Sequence, residues 1–97
     1  MTVKNLKKIT IVIVGYNSSS IIFNLLKNLI NFEIIIVDNG GNNHIIEKLK
    51  SYKNIKIISK GKNIGFGNGV NFAFKYVNTE YFFVLNPDIV IEEHAII

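Results

Sequence analysis

Four short apolar runs alternate with segments of helical periodicity along the chain. The first run, Ile9–Val14, is almost entirely β-branched, which is typical of a parallel strand covered on both faces. Similar runs at Glu33–Val37, Ile55–Ser59 and Glu80–Leu85 predict three further strands. Pro87 stops the last of them, because proline cannot donate a hydrogen bond to a neighbouring strand.

The spacing of apolar residues predicts a helix after each of the first three strands. Ser18, Ser19 or Ser20 can cap the first helix, which extends to Ile30, and Asn43 can cap the second. The third helix follows a loop rich in glycine and asparagine and ends near Val77. The residues predicted to be buried are Ile21, Ile22, Leu25, Leu26, Leu29 and Ile30 in the first helix, Ile45, Ile46, Leu49 and Tyr52 in the second, and Val70, Ala73, Phe74 and Val77 in the third. Three strand–helix–strand units predict an α/β fold, a parallel Rossmann-like sheet with helices on both faces.

Composition excludes several classes of protein. A chain of 97 residues holds one domain, and 48% hydrophobic with 19% charged residues excludes a disordered chain. Without cysteine there is no disulfide, zinc knuckle, iron–sulfur cluster or thiol nucleophile. The net charge of +4 comes from scattered lysines without any arginine, the side chain that reads guanine, so we expect no nucleic-acid partner.

Three lysines before the first strand imitate the start of a secretory signal peptide. The apolar stretch that follows is short, and Gly15–Ser18 contains no small-x-small cleavage site. No apolar run approaches the roughly 18 residues that span a bilayer. We therefore expect a cytoplasmic protein without a transmembrane segment, at most peripheral at the inner face of the membrane.

The most polar, glycine-rich segments of the chain follow the predicted strands. They are Gly15-Tyr16-Asn17, Asp38-Asn39-Gly40, Ser59–Gly69 and Asn86-Pro87-Asp88. Because the carboxyl ends of parallel strands meet at one edge, the fold brings these segments to one rim. Small open sheets bind ligands at that rim.

Two of these segments allow both a binding role and a structural one. Asp38 can accept hydrogen bonds from the ribose or base of a nucleoside, or it forms an Asx turn with its own backbone. The Gly65–Gly69 segment follows the third strand, so it is not a dinucleotide fingerprint, which follows the first. Its glycines either start a helix close to a phosphate-bearing ligand or allow close helix packing.

The remaining candidates are an acid and an aromatic ring. Asp88 can hold a hard divalent cation together with substrate phosphates, although Asn86-Pro87-Asp88 taken alone is a common turn. Tyr16 offers a flat face for a base, or it is an ordinary packed side chain.

Taken together, four blocks resemble the amino-terminal half of a family 2 glycosyltransferase of the inverting GT-A type. The blocks are Ile9–Ser18, Glu33–Gly40, Asn63–Asn71 and Tyr81–Asp88. The Leu-Asn-Pro-Asp sequence within the last block is similar to the rhamnosyltransferase-like branch. The resemblance implies the donor-binding part of an enzyme that transfers a sugar from a nucleotide diphosphate sugar, UDP- or dTDP-linked, to a hydroxyl. It also implies a glycan or lipid-linked acceptor, in bacterial surface polysaccharide or lipooligosaccharide synthesis.

The resemblance also implies roles for individual residues. Tyr16 would lie against the base, Asp38 would bond the base or ribose, and Asp88 would bridge Mg²⁺ or Mn²⁺ to the diphosphate. Asn86 stands where the family's Asp-x-Asp motif has its first acid, which leaves a site with one carboxylate. The implied donor-binding residues are Gly15, Tyr16, Asn17, Asp38, Asn39, Gly65, Gly67, Asn68, Asn86 and Asp88, with Asp88 as the metal ligand.

The family's catalytic base and acceptor site lie in the carboxyl-terminal half, so no residue here is assigned as catalytic. We expect residues 1–97 to form a truncated nucleotide-sugar-binding domain that exposes apolar edges and self-associates as a homo-oligomer. One alternative is a catalytically incomplete nucleotide-binding or assembly module. Another is a receiver-like α/β domain, which predicts clustered acids after the first strand, where Gly15-Tyr16-Asn17 has none.

Overall fold

The computed structural model describes residues 9–16, 19–29, 31–40, 48–49 and 51–85. Several sequence predictions fall outside these ranges: the caps Ser18 and Asn43, and the site residues Asn17, Asn86 and Asp88. Most of the predicted second helix also lies outside them, but its Leu49 is described and is buried in the core.

The described elements form a parallel sheet with connecting helices. They are β1 (Ile9–Gly15), α1 (Ser19–Leu26), β2 (Glu33–Asp38), β3 (Ile55–Ile58), α2 (Phe66–Phe74) and β4 (Tyr81–Leu85). All pairings are parallel, and the strand order is β3-β2-β1-β4. Gly15 lies beside Asp38 where β1 and β2 end, and Ile13 lies beside Leu85 of β4. The predicted parallel α/β sheet is confirmed.

Each face of the sheet carries its own apolar core. Alternate residues of β1 point to opposite faces, so Ile11 and Ile13 pack with α1 while Val12 and Val14 pack with α2. All seven residues of β1 are buried, as expected for a strand covered on both sides. The helices therefore lie on both faces, as the sequence predicts.

A hydrogen bond between two threonines explains how β1 can bury its one polar side chain, that of Thr10. Thr10 is buried, and its hydroxyl lies 2.7 Å from the hydroxyl of Thr79. Thr79 donates its own proton to the carbonyl oxygen of Tyr81, also at 2.7 Å, so Thr10 is the donor in the pair. The buried hydroxyl is thereby satisfied, and the start of β4 is tied to β1.

Both described helices end earlier than their apolar spacing predicts. α1 stops at Leu26 instead of Ile30, and α2 stops at Phe74 instead of Val77. After each end the backbone continues in tighter turns with bonds three residues apart, which apolar spacing does not distinguish from helix. These bonds run from Asn28 to Leu25, Leu29 to Leu26, Tyr76 to Ala73 and Val77 to Phe74.

Aromatic side chains are more exposed than predicted at two positions. Phe74 is 59% exposed because α2 buries the stripe of Gly69 and Ala73, and Phe74 lies beside that stripe. Its ring packs edge-on against Phe82 of β4, with centroids 5.6 Å apart. Tyr52, predicted to be buried, is likewise exposed.

Strand β4, which lies at one side of the described sheet, has exposed apolar side chains. Tyr81, Phe82 and Phe83 are all exposed, which agrees with the expectation of uncovered apolar edges. Self-association itself stays a prediction.

Close packing of α2 on β1 predicts the effect of one substitution. A Cβ atom at Gly69 would lie 2.9 Å from Cγ1 of Val14 and 3.2 Å from Cγ2, closer than packed atoms allow. We expect Gly69→Ala to lower the free energy of unfolding by about 1–2 kcal/mol, because the cost of overpacking exceeds the helix propensity that alanine adds. Urea unfolding measures the loss. Gly67→Ala on the same helix is the control, since nothing lies within 4 Å of its added Cβ. Equal stability of the two variants would show that the Val14 side chain moves to accommodate the added methyl group.

Candidate functional site at the carboxyl edge of the sheet

The segments that follow β1 and β2 adjoin at the carboxyl edge of the sheet. The N–H of Asn39 donates to the carbonyl of Gly15 at 2.8 Å, which continues the pairing of the two strands. Gly40, with a φ of 126°, lies against the ring of Tyr16, because a Cβ atom added there would be 3.6 Å from that ring. Two of the predicted rim segments thus form one surface, on which the Tyr16 side chain is 62% exposed.

Asp38 is held at this edge by its own backbone turn. Its Oδ1 accepts a hydrogen bond from the N–H of Gly40 at 2.9 Å, and the residue is 8% exposed. The Asx turn considered as an alternative is therefore present. A ligand role is compatible with it, because an ionised carboxylate offers about four acceptor sites on its two oxygens.

Asn39 joins the loop after β3 to the end of β2. Its side chain is buried, donates to the carbonyl of Gly65 at 3.1 Å and accepts from the N–H of Ile64 at 3.4 Å. The structure thus gives Asn39 a positioning role, and its predicted contact with a donor stays a prediction. The sequence signal for this role is an amide residue directly after a buried strand.

The loop before α2 is shaped by asparagine side chains. Asn63 accepts from the N–H of Gly65 at 2.9 Å, and Asn68 donates to the carbonyl of Ile64 at 3.1 Å. These bonds fix the backbone at the start of α2. The predicted site residues Gly65 and Asn68 are therefore brought to the same edge as Asp38, through Asn39.

The three glycines of this segment serve different purposes. Gly65 precedes α2 with a φ of 83°, a conformation that other residues rarely adopt. Gly69 allows the close approach to Val14, so the packing alternative is correct for that position. Neither backbone conformation nor packing requires a glycine at position 67, since Gly67 lacks a positive φ and its Cβ position faces open space. It leaves room for a ligand at the first turn of α2, where helices leave N–H groups without an internal acceptor.

The predicted metal ligand is not among the positions described. Asp88 and its neighbour Asn86 lie beyond β4, and Asn17 lies between β1 and α1. Within residues 9–85, apart from the gaps given above, no group of three or more histidine, aspartate or glutamate side chains could hold a metal ion. The Mg²⁺ or Mn²⁺ site therefore stays a prediction.

Comparison with known families agrees with this geometry. The model of the glycosyl transferase family 2 domain matches residues 10–96, a range that contains the described strands from Thr10 of β1 to the end of β4. The chain belongs to glycosyl transferase family 2. A search of curated proteins found no match. In the part of the chain that the structure describes, no helix of this glycosyl transferase family 2 domain is both long and apolar enough to cross a membrane. Membership implies a nucleotide sugar donor and an acceptor.

Proposed function

We propose that this family 2 chain binds the nucleotide diphosphate part of a sugar donor at the carboxyl edge of β1, β2 and α2. It would thereby supply the donor-binding part of an enzyme that transfers the sugar to an acceptor hydroxyl with inversion. One observation carries the proposal. Asn39 bonds to both Gly15 and Gly65, so three separate predicted site segments meet at one edge.

The topology supports this placement. The chain runs outward from β1 through β2 to β3 and then returns to place β4 on the other side of β1. Open parallel sheets bind ligands in the crevice outside the strand ends where the direction of strand order reverses. Here that point is the end of β1, which carries Gly15 and Tyr16.

The chemistry of the edge suits a nucleoside with hydrogen-bond donors. A carboxylate only accepts, so Asp38 favours groups that donate, such as a ribose hydroxyl or the imide N–H of uracil or thymine. The exposed ring of Tyr16 offers a stacking face next to it, and such stacking contributes about 1–3 kcal/mol per base. A UDP- or dTDP-linked donor agrees with both groups.

The start of α2 suits the diphosphate. The positive end of the helix and its free N–H groups favour an anion, and Gly67 leaves space for one. One carboxylate together with substrate phosphates is a donor set that Mg²⁺ accepts, and Asp88 with the diphosphate would provide it. A cation bound there would neutralise charge on the departing nucleoside diphosphate.

The finer assignment depends on the block that follows β4. Leu85-Asn86-Pro87-Asp88 supports a rhamnosyltransferase-like enzyme of surface polysaccharide or lipooligosaccharide assembly. In that role the acceptor is a glycan or lipid-linked sugar.

Gly67→Ala tests the placement of the diphosphate. The added methyl group would occupy the open space at the first turn of α2, while alanine keeps or improves the helix. We expect the affinity for UDP and dTDP in calorimetric titration to fall by roughly tenfold or more, without loss of stability.

Gly69→Ala is the matched control for this titration. It should lose stability and keep the nucleotide affinity of its folded fraction. Unchanged nucleotide affinity in Gly67→Ala would contradict the proposed diphosphate position.

A further inference from the structure

We propose that Asn39 is a positioning residue that holds the start of α2 at the end of β2, so that the nucleoside and diphosphate parts of the donor edge are in place before a ligand binds. Asn39 acts through the backbone of the loop before α2, and this role needs no contact with the donor. The inference rests on the proposed function. It adds a reason why this edge prefers a nucleoside diphosphate to the nucleoside alone.

The side chain of Asn39 is enclosed by the protein, and both of its polar atoms are bonded. The residue is 5% exposed, its Nδ2 donates to the carbonyl of Gly65 at 3.1 Å, and its Oδ1 accepts from the N–H of Ile64 at 3.4 Å. A buried amide is tolerated only with such partners. The backbone N–H of Asn39 donates to the carbonyl of Gly15, so one residue joins the ends of β1 and β2 to the loop before α2.

The bond from Asn39 reaches the carbonyl group at which α2 starts. The Gly65 carbonyl also accepts from the N–H of Gly69 at 3.1 Å, and that bond closes the first turn of the helix. A carbonyl oxygen has two lone pairs, so it can accept both bonds. Asn39 thereby ties the first turn of α2, which contains Gly67, to the end of β2.

Two other asparagines bond to the same loop but do not attach it to the sheet. Asn63 and Asn68 belong to the loop and to α2, so their bonds to Gly65 and Ile64 shape the loop only within itself. Asn39 directly follows a buried strand whose position is fixed by pairing with β1 and β3. Of these three asparagines, Asn39 is the one that joins the loop to the strand end.

The two parts of the proposed ligand depend differently on this attachment. In the proposed function, Asp38 and Tyr16 contact the nucleoside, and the diphosphate lies beside Gly67. A site that is already ordered binds without the entropy cost of ordering its loops. When the Asn39 bonds are removed, that cost is added to the binding of the diphosphate but not to the binding of the nucleoside.

Titrations with a nucleoside and with its diphosphate separate this role from a general loss of structure. Binding of uridine, UDP, thymidine and dTDP is followed by amide chemical shifts, which also detect weak binding. Asn39→Ala removes both side-chain bonds without adding charge. Asn39→Ser is a second variant in case the first does not fold, since it keeps a polar group that is too short to reach Gly65. Asn54→Ala is the matched control, because the Asn54 amide donates to the carbonyl of Phe32 at 2.8 Å, at the opposite edge of the sheet.

We expect the Asn39 variants to lose roughly tenfold or more in affinity for the diphosphate that the wild type binds, with the affinity for its nucleoside changed by less than about threefold. Asn54→Ala should leave both affinities within about threefold of the wild type. Without ligand, the amide of Gly69 should exchange with solvent at least about tenfold faster in the Asn39 variants, while that of Tyr76, just beyond α2, does not.

Several results would overturn the positioning role while leaving the donor site in place. They are an unchanged affinity for the diphosphate, an equal loss for diphosphate and nucleoside, an equal effect of Asn54→Ala, and an unchanged exchange rate at Gly69. Failure of both Asn39 variants to fold would overturn it as well, because Asn39 would then serve folding. If the wild type binds none of the four compounds, the proposed function fails and this inference fails with it.

Discussion

Replacing Phe32 with alanine should lower the free energy of unfolding by about 3–5 kcal/mol. Phe32 is fully buried, and among the residues that the structure describes it is the largest fully buried side chain. It lies between α1 and β2 in the core that also contains Leu29 and Ile34, so its removal leaves a cavity that the strand cannot fill. Because a chain of this size has roughly 5–15 kcal/mol of stability, this loss is between about a fifth and all of the total.

Urea unfolding followed by circular dichroism measures this effect. Phe66→Ala is the matched control, because Phe66 is the same residue type and is 57% exposed at the start of α2. It should change the stability by no more than about 0.5 kcal/mol. A loss in Phe32→Ala no larger than that of the control would mean that this core is not packed as described.

Replacing Asp38 with asparagine should lower the affinity for UDP or dTDP by roughly 10- to 150-fold. Asparagine keeps the shape of the side chain and an oxygen that can accept from the N–H of Gly40, so the turn after β2 is retained. The negative charge is lost, and with it the stronger hydrogen bonds that a carboxylate accepts from a ribose hydroxyl or an imide. Binding should therefore fall without a matching loss of stability.

Glu33→Gln is the control for this measurement. Glu33 begins the same strand at the opposite edge of the sheet, and its side chain is exposed. The substitution removes the same charge and should leave the nucleotide affinity within about twofold of the wild type, since exposed charges interact weakly over such distances. Equal affinities in Asp38→Asn and the wild type would exclude Asp38 from the donor site.

The fold could be predicted because each strand is short, strongly apolar and bounded by polar or turn-forming residues. β1 and β2 each agree with the predicted run to within one residue, and burial on both faces explains why Ile9–Gly15 is uninterrupted except at Thr10. Pattern alone could not give the partner of Thr10, because Thr79 is 69 residues away and only the pairing of β1 with β4 brings it near. Nor could it give the ends of the helices, where the tighter turns keep the apolar spacing.

The meeting of the candidate segments at one edge of the sheet could be predicted, but the structural roles of their residues could not. Parallel topology alone places Gly15, Asp38 and the glycine loop at one edge. Which glycine serves packing depends on neighbours in three dimensions, and the close approach of Gly69 to Val14 assigns that role to Gly69. A ligand role for Gly67 stays a prediction. The positioning role of Asn39 likewise depends on how the loop before α2 folds back.

The most direct test of the donor edge is amide chemical-shift mapping by NMR while UDP, dTDP or GDP is added to the chain. We expect one or more of these nucleotides to shift the amides of Gly15, Tyr16, Asp38, Gly40 and Gly67. The amides at the opposite edge, such as those of Thr10, Asn54 and Thr79, should not move. Shifts confined to that opposite edge, or no shifts with any nucleotide in a folded sample, would contradict the proposed donor site.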